Sequence, residues 1–84
     1  MSIGIGGGGA FLAIGKTKPD FVAIGSRIRK LRGDIFQEDM ADYLGISQGH
    51  LSKIERGKGA PTIETLLLLS ERFRKSIDWI LRGE

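Results

Sequence analysis

A chain of 84 residues, 40% of them hydrophobic, allows one small domain, and well-packed helices make a core of that size self-sufficient. The absence of cysteine excludes a disulfide scaffold and a thiolate metal site and agrees with a reducing cytoplasm. A net charge of +3 and a pI of about 9.6 suit a polyanionic partner without selecting one, and no apolar run approaches the roughly 20 residues of a membrane-spanning helix.

Residues 1–20 read as a glycine-rich arm and residues 21–84 as the domain. Gly4, Gly6 and Gly9 have the spacing of a dinucleotide-binding fingerprint. That fingerprint works only between a strand and a helix of a βαβ unit, which is not expected ahead of Met1, so the match is set aside. A secretory leader is a poor fit because Lys16 and Lys18 follow the apolar stretch instead of preceding it. A sharper alternative to a plain arm takes Ala10 to Ile14 as an extended segment pairing with its copy in a second subunit. The similar stretches starting at Phe11 and Phe21 are too few and too short for a repeat architecture.

Pro19 disfavours helix in Lys18 before it, and Asp20 can cap a helix beginning at Phe21. Ile24, Ile28 and Leu31 then fall at i, i+4 and i+7, one buried stripe of this first helix with Arg27, Arg29, Lys30 and Arg32 on its other faces. Gly33-Asp34 ends it. Asp34, three residues ahead of Gln37, is expected to form a capping box for the second helix.

From Gln37 to Arg56 the apolar residues form two short helical stripes, Met40, Ala41, Leu44 and then Leu51, Ile54, broken at Gly45. A glycine takes the left-handed backbone that a reversal between helices needs, small Ala41 permits close approach, and Ser47 can accept a free N–H of the next helix. With Leu51 and Ile54 inward, Gln48, Gly49, Ser52, Lys53 and Arg56 are left on the exposed side. A glutamine amide pairs with adenine N6 and N7, and a lysine donates to guanine O6 and N7, in a groove wide enough for a helix. Gln48 and Lys53 are therefore the expected base readers. His50, the only histidine, lacks the companions of a metal site.

Pro61 and Thr62 begin a fourth helix with Ile63, Leu66, Leu67, Leu69 and Phe73 at helical spacing. Four consecutive leucines exceed one buried face, so one or two of them are expected on another surface. Ser76 caps a last helix with Ile77, Trp79, Ile80 and Leu81, ending at Gly83. No catalytic constellation is present: one histidine, no cysteine, and no serine ordered with a histidine and a carboxylate. A non-enzyme without cofactor or metal is expected.

Ile24 to Arg32, Gln37 to Lys58, Pro61 to Ser70 and Ser76 to Gly83 are four blocks in register. Together they resemble the Cro/C1-type (Xre-like) helix-turn-helix repressors of phages and bacteria. The resemblance implies an all-α, five-helix lambda-repressor-like domain, cytoplasmic and bacterial or phage-encoded, binding double-stranded DNA as a homodimer on a pseudo-palindromic operator. It implies that Gln37 contacts a phosphate and braces Gln48, and that Arg27, His50, Ser52, Arg56 and Lys58 meet the DNA backbone. It also implies that Glu55 pairs with Arg32 and that the last helix, with Trp79 and Ile80, carries the dimer contact. Two departures stand out. The first interhelical connection is about two residues shorter than usual, and Gly49 occupies a position that in the family often carries a base-reading side chain, so leaner readout is expected there. The alternatives are an antitoxin that represses its own operon and binds a toxin, and an adaptor that uses the fold to bind another protein.

Overall fold

The computed structural model describes residues 18–84, all-helical with no strand among them. The helices are α1 (Phe21–Arg32), α2 (Gln37–Leu44), α3 (Gln48–Glu55), α4 (Ile63–Phe73) and α5 (Ile77–Arg82). The glycine-rich arm of residues 1–20 and the pairing segment Ala10 to Ile14 fall outside the described residues, except for Lys18, Pro19 and Asp20.

Four of the five starts result from a short polar side chain just ahead of the helix. Asp20 accepts from the Ala23 N–H, Ser47 from His50, Thr62 from Thr65 and Ser76 from Trp79. The start of α2 is the exception and corrects the expected capping box. Its N-cap is Phe36, which makes no side-chain cap bond, and Asp34 lies outside the helix in the preceding turn. The Gln37 side chain is drawn instead to Glu55, while Glu38 and Asp39 place negative charge at the positive end of the α2 dipole.

The core takes residues from every helix: Ile24 and Ile28, then Met40, Ala41 and Leu44, then Leu51 and Ile54, Leu66 and Leu69, and Ile80. Burial on this pattern contributes about 1.5–3 kcal/mol for each large aliphatic side chain. α1 lies against α3 and α5, α2 against α3, and α4 spans α1, α2 and α5. On α4 the inward positions are Thr65, Leu66 and Leu69, while Ile63 and Leu67 face out at 72% and 49% exposure. The surplus leucine expected in the leucine run is thus Leu67. No helix among the described residues is long and apolar enough to cross a membrane.

Candidate nucleic-acid interface

The turn between α2 and α3 is fixed by the backbone. Gly45 sits at φ 71°, its N–H reaches the Asp42 carbonyl at 3.1 Å, and the Ile46 N–H reaches the Ala41 carbonyl at 3.0 Å. Buried Ala41 lets α3 cross close to α2. Leu51 and Ile54 then point inward, and Gln48, Gly49, His50, Lys53 and Arg56 are exposed, with Ser52 half-buried.

Beneath this surface runs a hydrogen-bonded relay. Arg32 grips Glu55 with two donors, Nε to Oε2 at 2.7 Å and Nη2 to Oε1 at 3.0 Å, and its Nη1 donates to the Ile35 carbonyl at 2.9 Å. Gln37 donates from Nε2 to Glu55 Oε1 at 3.1 Å, and Gln48 donates from Nε2 to Gln37 Oε1 at 3.3 Å. The order of donors is dictated chemically. A carboxylate only accepts, so Gln37 must turn its amide nitrogen to Glu55 and its oxygen to Gln48, and Gln48 must answer with a nitrogen. One N–H and the carbonyl oxygen of Gln48 are then left to face outward, the donor–acceptor pair that adenine N7 and N6 require.

The relay also settles the electrostatics. The Glu55 side chain is only 4% exposed and is neutralised by Arg32, so the negative charge amid Lys53, Arg56 and Lys58 is held inward. Hydrogen bonding to the Glu55 carboxylate, and with it that group's charge, holds the Arg32 guanidinium above the ordinary arginine range, against the opposing pull of burial. The outer surface of α3 and the loop after it is left cationic. The Lys58 N–H bonds the Lys53 carbonyl at 2.8 Å, which folds the backbone of the loop onto the end of α3, and Arg56 folds its Nε back onto the Ser52 carbonyl at 3.2 Å.

The structure therefore brings Gln37, Gln48, Gly49, Ser52, Lys53, Arg56 and Lys58 to α3 and its borders, with His50 on the first turn of α3. Two expected residues lie elsewhere. Gly25 and Arg32, seven residues apart, share the α1 face toward α3, and Arg27, two positions from Gly25, falls on the other side. Arg27 Nη1 donates to the Ile80 carbonyl at 3.0 Å, which makes it a cap for the end of α5. Ile80 is 0% exposed and belongs to the core, so its side chain offers nothing to a second subunit. Trp79, half-buried, keeps a surface, with the Lys75 ammonium 4.8 Å over its ring. One residue of the site escaped sequence reasoning: Gly25, buried where α1 meets the end of α3. The signal in the sequence was only a glycine in the interior of a helical pattern, where it costs about 1 kcal/mol relative to alanine. Among the described residues no group of three histidine, cysteine or carboxylate side chains could hold a metal.

A family model described as helix-turn-helix matches residues 27–80. The HTH-type transcriptional activator BcrR of Enterococcus faecalis is 41% identical over 51 residues, 61% of this chain and 25% of its own length. The SPbeta prophage-derived HTH-type transcriptional regulator YonR of Bacillus subtilis (strain 168) is 39% identical over 61 residues, 70% of this chain and 56% of its own. The chain thus spans about a quarter of one relative and just over half of the other. Among solved structures, the P22 c2 repressor in complex with a synthetic operator superposes with a TM-score of 0.66 at 35% identity, covering 73% of this chain and 96% of that one. The restriction-modification controller protein C.AhdI from Aeromonas hydrophila gives a TM-score of 0.63 at 25% identity, with coverage of 74% and 97%.

Proposed function

Because the chain belongs to the Cro/C1-type helix-turn-helix family, we propose that it is a sequence-specific DNA-binding transcriptional regulator that represses by occupying a pseudo-palindromic operator as a homodimer. The observation that carries this reading is the relay from Arg32 to Gln48, which presents an oriented amide on an exposed helix whose other side is core. A surface helix with an incidental polar face has no need of a buried ion pair to aim one glutamine. The complex of the P22 c2 repressor with an operator, at 35% identity, supports duplex DNA as the partner.

In this reading α3 enters the major groove, Gln48 and Lys53 read base edges, and Gln37, His50, Ser52, Arg56 and Lys58 meet phosphates. Gly49 lets the backbone approach without adding a reader. Two subunits place their α3 helices about 34 Å apart, one turn of the duplex, and Trp79 is the aromatic residue of α5 left to serve their contact. Selection of bound sequences from a randomised duplex pool at near-physiological salt tests this. Two inverted half-sites at one-turn spacing are expected; a pool that stays random, with the protein folded, overturns the reading.

A further inference from the structure

Where α1 crosses the end of α3, a Cβ on Gly25 would overlap the Ile54 carbonyl oxygen and lie 2.7 Å from the Glu55 carbonyl oxygen and 2.9 Å from its carbon. These are backbone atoms, which cannot swing aside. The same α1 face, two turns on, carries Arg32, whose bonds to Glu55 are 2.7 and 3.0 Å long. We propose that Gly25 is a positioning residue for sequence reading: its missing side chain sets the α1–α3 distance at which Arg32 can hold Glu55, and through Gln37 it fixes the amide of Gln48. The inference rests on the regulator reading above and adds a residue that touches no DNA.

The mechanism is geometric. Relieving the overlap requires the helices to part by a distance on the order of 1 Å, enough to stretch the Arg32–Glu55 bonds beyond hydrogen-bonding range. Glu55, no longer clamped by Arg32, is then free to change rotamer, so the acceptor beside Gln37 is no longer fixed in place and the aim of Gln48 loosens with it. α1 itself survives, because alanine favours helix more than glycine does. The approach continues at Gly57, where a Cβ would lie 2.7 Å from Val22 Cα, but Gly57 has φ 77° and any side chain strains it regardless of Val22. Gly25 lies within a regular helix and is the cleaner probe.

The test is Gly25→Ala in the full chain, in trimethylamine N-oxide to hold a strained variant folded. Its affinity is measured for the selected operator and for a scrambled duplex, and the arginine Nε–H and glutamine amide resonances are followed without DNA. The preference for operator over scrambled duplex should fall about tenfold or more while scrambled binding holds, and the Arg32 Nε–H and Gln48 amide signals should move to solvent-exposed positions. An unchanged preference with unmoved resonances, an equal loss on both duplexes, or a variant unfolded even in the osmolyte would each restrict Gly25 to supporting the core and overturn the proposal. If the wild-type chain shows no preference among duplexes, it is the regulator reading that fails, and the resonances alone still decide whether Gly25 holds the relay.

Discussion

Gln48 and Arg32 sit at opposite ends of one relay, and their loss should read out differently. Gln48→Ala removes an exposed amide whose partners are one glutamine and, in the proposed complex, one base. It should cost about 1–3 kcal/mol on the operator, relax preference at one base pair and leave folding intact, as a comparison of operator variants would show. Arg32→Ala leaves the Glu55 carboxylate, 4% exposed, with only the Gln37 amide beside it. An orphaned buried charge of this kind costs about 3–5 kcal/mol, a large share of a small domain's stability, so the urea midpoint should drop sharply. At this scale chemistry was legible in the sequence and direction was not. Glutamine and lysine on an exposed helix face carry donors and acceptors that match base edges, which is what makes Gln48 and Lys53 candidates. The resemblance already implies the pair of Arg32 with Glu55, which the structure contains, whereas the bond of Arg27 to the end of α5 depends on the packing of α1. Gly25 carries its information in an atom it lacks.

Among the elements, α2 is the one whose start was misread, because Asp34 and Gln37 have the spacing of a capping box. Gln37 was claimed by Glu55, a residue 18 positions away, and the helix began one residue after a phenylalanine. Phe36 is 75% exposed and caps nothing. Phe36→Asp should therefore stabilise the domain by about 0.5–1 kcal/mol through a new N-cap bond, seen as a higher melting temperature. The same carboxylate would stand where free N–H groups at the start of α2 would meet a phosphate, so affinity for DNA should fall as stability rises. A gain in both would show that the start of α2 does not face the backbone of the duplex. The other four caps were readable because each depends on a short polar side chain and its own next turn. On α4 the period was readable but its phase was not: Thr65 went inward and Ile63 outward, a choice made by α1, α2 and α5 and not by α4 itself.

For the whole molecule, the cationic surface around Lys53, Arg56 and Lys58 predicts affinity that weakens with salt. Lys58→Ala should weaken binding equally on all duplexes and lower the slope of log affinity against log salt by about 0.9. A change confined to the operator would instead make Lys58 a base reader. The core of the domain was almost fully legible, since nine of its ten buried hydrophobic residues come from stripes at helical spacing in α1 to α4, and Ile80 completes them. Ile80 is readable as core too, an apolar residue at helical spacing in the last helix, and it is fully enclosed.

The bond from Arg27 to the Ile80 carbonyl joins positions 53 residues apart, which has a consequence for how the domain comes into being. At about 5–20 residues per second of synthesis, roughly 3–10 s pass between the appearance of Arg27 and that of its acceptor. The helix-turn-helix is completed about midway through that interval, while the α1 face that α5 will cover is still open to water. The part of the chain proposed to read DNA is therefore complete as sequence before α5 has emerged to close the α1 face behind it.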